Sequence, residues 1–124
     1  GVYALGDMAN WRDHGGAQRR AEHWNHTVEQ AAIVAAALLG TDNAVVPAVP
    51  YFWSDQYDLK IQVLGWPKAD DDVHIVDDDG HKWLAYFSRD GMLTAVAGAG
   101  KVGAVMKTRP KLVTPTPIAD VLPD

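Results

Sequence analysis

The sequence predicts an α+β fold, on three observations: one Ala-rich stretch with helical spacing, a series of apolar segments punctuated by Asp-Gly turns, and a second short helical stretch before a proline-rich end. The chain opens on an apolar run, Val2 to Leu5, that falls onto Gly6-Asp7 and reads as a strand ending in a turn. A polar loop with two consecutive glycines follows, from Asn10 to Gln18. In "AEHWNHTVEQAAIVAAALLG" the apolar positions Trp24, Val28, Ala31, Ala32, Ala35, Leu38 and Leu39 recur three and four apart, the period of one helix face. Gly40 is placed to end that helix in the left-handed conformation. Its small side chains admit a close neighbour, so the helix is expected to lie buried against a sheet.

From Thr41 to Pro50 the chain carries two prolines and reads as a linker, which sets a boundary between an opening strand-and-helix unit, 1–43, and an α+β unit, 44–124. "YFWSDQYDLKIQVLGW" holds three adjacent aromatics, a polar turn, and Leu59, Ile61 and Val63 alternating with Lys60 and Gln62, the pattern of a half-buried strand. "VHIV", "KWLAYFS" and "MLTAVAG" read as further strands. Asp79-Gly80 and Asp90-Gly91 between them favour tight hairpins, because a two-residue type I′ turn needs positive φ at both positions. An antiparallel meander of about four or five strands is therefore expected. Val102, Val105 and Met106 mark a last helix stopped by Pro110, and "TPTPIADVLPD" reads as an extended surface arm.

Composition bounds the function. With 124 residues, 48% of them hydrophobic, and five Trp, the chain has enough apolar surface for a folded core. No apolar run approaches the roughly 18 residues of a membrane span. The absence of cysteine removes disulfides, thiolate metal sites and cysteine nucleophiles, and together with the absence of a leader-like segment it points to the cytoplasm. A formal charge of -5 disfavours nucleic acid and anionic membranes as partners. The charge is segregated: Asp70, Asp71, Asp72, Asp77, Asp78 and Asp79 lie close together, whereas Lys101, Lys107, Arg109 and Lys111 occupy a stretch free of acids. That stretch reads either as a solvated face or as a docking patch for an acidic partner.

Gly6-Asp7 at the end of a strand suits a carboxylate that accepts hydrogen bonds from ligand hydroxyls, and it equally suits a turn that caps the next segment. The helix start at His23 and Trp24 offers unpaired backbone N–H groups beside a flat indole, although a Trp at that position also suits a core. Tyr51, Phe52 and Trp53 combine planar surface with the polar Ser54, Asp55 and Gln56. His23 and His26 share a face but lack a third metal ligand. An EF-hand alignment on Gly80 puts Ile75 at the first ligand position, so "DDDG" is a hairpin turn. No Gly-x-Ser-x-Gly, phosphate-loop or Gly-x-Gly-x-x-Gly motif is present.

These stretches together resemble the FAD-containing, NAD(P)H-dependent ferredoxin reductases that feed oxygenases, the putidaredoxin-reductase-like branch of the glutathione-reductase-like flavoproteins. "VYALGD" resembles the late flavin-binding motif, "RRAEHWNHTVEQA" the helix after it, and "VPYFWSDQYDLKIQVLG" the entry to the family's C-terminal domain. The resemblance implies that the chain is the last third of such an enzyme, without the preceding dinucleotide fold and nicotinamide domain. It assigns Gly6 and Asp7 to the flavin ribityl chain and sets His23 and Trp24 at the helix start beside the isoalloxazine ring. It has the aromatic group Tyr51, Phe52 and Trp53, with Trp53 the candidate for cofactor binding, line the flavin pocket and face the partner, leaving open which of the three approaches the ring. It makes an iron–sulfur ferredoxin the partner, with docking at Lys101, Lys107, Arg109 and Lys111. It implies no catalytic acid or base in this chain, because the flavin performs the chemistry; the residues themselves offer no metal site. The chain alone is expected to be inactive. The alternative is a non-catalytic module that forms a homodimer through sheet edges or exposed aromatics.

Overall fold

The computed structural model describes residues 1–12, 16–41 and 49–123. It divides into two compact units, Gly1–Pro50 and Tyr51–Asp124. The expected boundary at 43/44 lies outside the described residues.

In the first unit, Val2–Leu5 pairs with no strand among the described residues, although Leu5 has extended dihedrals (φ -145, ψ 169). The sequence expectation of a strand there is corrected for a physical reason: an extended segment becomes a strand only when a neighbour completes its ladder. A 3-10 turn, Gly6–Met8, follows. Strands β1 (Trp11–Arg12) and β2 (Gln18–Arg19) then pair antiparallel across the segment read as loop.

Helix α1 spans Trp24–Leu39 and ends at Gly40 in the left-handed conformation (φ 68), whose N–H reaches back to the last carbonyls. That stop follows the sequence. Burial does not, since only Gln30 and Val34 of α1 are buried, while Trp24, Val28, Leu38 and Leu39 are exposed. A run of small alanines offers little surface to desolvate, so the helix is held mainly by the turn at its first half.

The second unit is a five-stranded antiparallel sheet: β3 (Tyr51–Gln56), β4 (Leu59–Gly65), β5 (Asp72–Asp78), β6 (Trp83–Arg89) and β7 (Met92–Ala99), in the order β3-β4-β7-β6-β5. The sheet is not the simple meander expected, because β4 pairs with β7 rather than with its successor. β5, β6 and β7 form the meander, and a connection over 66–71 carries the chain from β4 to the far edge, a Greek key.

The β6–β7 turn is the two-residue Asp90-Gly91 hairpin read from sequence, with φ of 53 and 74. The turn at Asp79-Gly80 is longer, because the Asp79 carboxylate accepts the backbone N–H groups of His81 and Lys82 and closes a four-residue loop.

Helix α2 (Val102–Thr108) covers one face of this sheet and passes into a 3-10 turn, Arg109–Leu112, at Pro110. Val105 is fully buried, and a Cβ added to Gly98 would lie 2.9 Å from its Cγ2, so the glycine makes room for the helix. Leu64, Val96 and Leu84 complete the core on that face. The expected polar-out position of Gln62 is corrected: it shares the covered face with Leu64 and is 2% exposed. The C-terminal arm is not free. Thr116 accepts from the Leu93 N–H, the Ile118 N–H donates to Gly91, and Pro117 bridges to Met92.

Candidate functional site

In the first unit a cleft of about 510 Å³ opens between the 3-10 turn and the start of α1, lined by Leu5, Gly6, Asp7, Met8, Glu22, Trp24 and Thr27. Its volume lies in the range of small-molecule sites. Two interactions build it. The Gly6 N–H donates to Gln30 Oε1 at 2.7 Å, a fully buried bond that ties the turn to the second turn of α1. Gly6 has φ 78, and a Cβ there would meet Thr27 Cγ2 at 3.4 Å, so turn and helix approach closely. Asp7 and Trp24 both line the opening and are exposed, Trp24 to 74%. The structure thus brings together Gly6, Asp7 and Trp24 and adds Thr27 and Glu22. Gln30 was legible only as an unexplained polar residue inside an apolar helix stretch.

His23 is the N-cap residue of α1, with extended dihedrals (φ -127, ψ 139), and its side chain makes no capping hydrogen bond. The backbone N–H groups of the first turn therefore carry the partial positive charge of a helix start. Partial burial lowers the His23 pKa, with His26 adding to the effect and Asp7 and Glu22 opposing it. His26 is lowered by burial and lies 4.0 Å from the Glu29 carboxylate. Both imidazoles are thereby held toward the neutral form. Among the described residues, no three His, Cys, Asp or Glu gather as a metal site.

In the second unit, Tyr51 and Trp53 project from the same face of β3 and stack, with ring centroids 5.5 Å apart and an interplanar angle of 21°. Phe52 points to the opposite face. The basic residues divide. Lys101 is engaged by the Asp77 carboxylate, whose hydrogen bond raises the ammonium pKa, so its charge is answered within the fold. Lys107 and Arg109 are exposed, and Lys111 donates to the Asp120 carbonyl at 2.8 Å while remaining at the surface. The Asp77 partner lies 24 residues from Lys101, a separation that charge patterning along the chain does not reveal.

No described helix is long and apolar enough to cross a membrane. The family described as Reductase C-terminal matches residues 51–120, more than half of the chain. Among solved structures, the chain is similar to one titled Fdr9, with 30% identity and a TM-score of 0.79, covering 98% of this chain and 35% of that one. It is similar to the ferredoxin reductase for the CYP199A2 system from Rhodopseudomonas palustris, with 26% identity and a TM-score of 0.80, covering 96% and 30%. The reductase in a covalent putidaredoxin reductase–putidaredoxin complex shares the fold, with a TM-score of 0.85 at 22% identity, covering 97% and 29%. The chain thus spans about a third of the length of these structures. The matched domain and the shared fold agree: the chain belongs to the Reductase C-terminal family.

Proposed function

We propose that the chain is the C-terminal third of a flavoprotein reductase that passes electrons from NAD(P)H through FAD to an iron–sulfur ferredoxin. The observation that carries this reading is the cleft: a carboxylate, an uncapped helix start and an exposed indole converge on one opening in a chain of the Reductase C-terminal family. The similarity to a ferredoxin reductase at 26% identity supports it.

The donor set fits a flavin. Asp7 would accept hydrogen bonds from ribityl hydroxyls, and the first N–H groups of α1, with their partial positive charge, would stabilise negative charge added to a bound flavin. Trp24 would offer its indole to the ring. By the family resemblance, the segment around Trp53 would face the iron–sulfur partner. The flavin supplies two-electron input from a nicotinamide and one-electron output to an iron–sulfur centre. The chain lacks a glycine-rich phosphate cradle, so alone it is catalytically silent. The exposed apolar positions of α1 are covered by the flavin domain in this reading.

Dimerisation through the β5 edge is disfavoured by β5 itself. That edge strand carries Asp72, Asp77 and Asp78 and a bulge between Ile75 and Asp77, features that block edge pairing.

Docking of an acidic ferredoxin is assigned to Lys107, Arg109 and Lys111. In the assembled reductase, the double variant Lys107→Glu/Arg109→Glu is expected to raise KM for the ferredoxin about tenfold at low salt, with little change in kcat, because exposed charges act mainly on encounter. Steady-state ferredoxin reduction at two ionic strengths measures this, and an unchanged KM contradicts the docking assignment.

A further inference from the structure

Gln62 combines burial with an incomplete set of hydrogen bonds. It is 2% exposed, on the sheet face that α2 covers, directly across the β3–β4 ladder from Trp53. Its Nε2 donates to the Tyr51 hydroxyl at 2.7 Å. Its Oε1 is buried and has no partner. Exchanging the oxygen and nitrogen of the amide does not remove the deficit, because the Tyr51 hydroxyl still answers only one end. A buried amide with one unanswered atom costs stability that a leucine at the same place would not. Core packing therefore does not account for a glutamine here. Its one directed contact does: the bond reaches the tip of the ring that stacks on Trp53.

We infer that Gln62 is a positioning residue, which pins the Tyr51 hydroxyl so that the phenol lies against Trp53 and holds the indole in one orientation. The geometry is specific. Tyr51 and Trp53 are two residues apart on β3 and share a face, so the phenol can either lie along the strand against the indole or swing away from it. A hydrogen bond from a buried, immobile donor selects the first arrangement. Gln62 is suited to this because its backbone lies in β4, held between β3 and β7, and its side chain is enclosed. The inference rests on the reading that Trp53 faces the iron–sulfur partner, on the path by which electrons leave. A fixed indole would give that exit a constant geometry rather than a fluctuating one.

The test uses the chain with 5-fluorotryptophan, the Trp53 line being assigned with Trp53→Phe. Wild-type protein is expected to show one sharp Trp53 line. Gln62→Leu and Tyr51→Phe should each shift and broaden that line, and the double variant should do no more than either single one, because both remove the same bond. Gln62→Leu should also leave the melting temperature unchanged or higher, which separates lost positioning from lost stability. An unchanged Trp53 line in folded Gln62→Leu overturns the inference, as do additive effects of the two substitutions. In the assembled reductase, ferredoxin reduction should fall about three- to tenfold in both single variants at unchanged flavin content. A perturbed Trp53 line with an unchanged reduction rate would uphold the positioning role and count against Trp53's place on the electron path.

Discussion

Replacing Gly65 with alanine should destabilise the second unit by about 3 kcal/mol, one of the largest single-residue effects in the chain. Gly65 ends β4 at φ 93, and a Cβ there would lie 2.3 Å from the Thr94 carbonyl oxygen and 2.9 Å from the Ala95 Cα. Both obstacles are backbone atoms of β7. Relief therefore requires parting two central strands, in addition to the roughly 1 kcal/mol that a side chain pays at positive φ. The same corner sets the topology, because beyond Gly65 the chain leaves β7 and crosses to the far edge. Urea unfolding should show the midpoint falling by about 2 M for a domain of this size. Gly103→Ala is the contrasting case. Nothing lies within 4 Å of a Cβ in that α2 position, so better helix propensity should raise stability by up to about 1 kcal/mol. A Gly65→Ala midpoint within 0.5 M of wild type, by the same order-of-magnitude reckoning, would contradict the close strand contact.

Removing the Asp71 carboxylate should cost about 2–3 kcal/mol, since it leaves three part-buried donors unanswered. Asp71 lies on the Greek-key connection and is buried. Its Oδ2 accepts the Lys68 N–H at 3.0 Å and the Thr94 hydroxyl at 2.8 Å, while its Oδ1 pairs with Arg89. The crossover is thereby fastened to β7 and to the end of β6. Burial alone would raise the carboxyl pKa, but the Lys68 N–H, the Thr94 hydroxyl and the Arg89 guanidinium outweigh it and hold the group below its usual 3.8. A carboxylate with a depressed folded pKa contributes stability above its unfolded pKa and loses it as pH falls through the folded one. Asp71→Asn should therefore be less stable than wild type at pH 7, with the difference narrowing below about pH 4. Denaturation midpoints across that range measure it. A difference that stays constant with pH would show that Asp71 acts by shape alone.

Local features of the fold were legible wherever residue chemistry acts over a few positions. Gly40 stops α1, Asp90-Gly91 makes the hairpin, and Val105 faces the core from a helix ended near Pro110. The strand order was not legible, because the pairing of β4 with β7 depends on the long connection and on contacts at Gly65 and Asp71 that no local pattern announces. Alternation through Leu59, Ile61 and Val63 suggested a solvent-facing Gln62. With Leu64 and Val96 on the same face, α2 instead encloses it.

The site shows the same division. Gly6, Asp7 and Trp24 were picked out by residue type and meet in one cleft. What holds them is the buried Gln30 bond across 24 residues, which the sequence records only as a polar residue in an apolar stretch. Lys101 looked like a docking charge because Asp77 is far from it in sequence. The flavin role of the cleft came from the resemblance of "VYALGD" and its following helix to a known family, since a lone Gly-Asp carries no such assignment.

An FAD titration of the 15N-labelled chain probes the Asp7–Trp24 cleft as a flavin site. Binding should be weak, with Kd on the order of 0.1–1 mM, because the chain would supply one side of the flavin site without a phosphate cradle. Shifts should be confined to the backbone N–H groups of Gly6, Asp7 and the first turn of α1 and to the Trp24 indole N–H, and Asp7→Ala should abolish them. No shifts at millimolar FAD, or shifts centred away from the Asp7–Trp24 cleft, would contradict that reading.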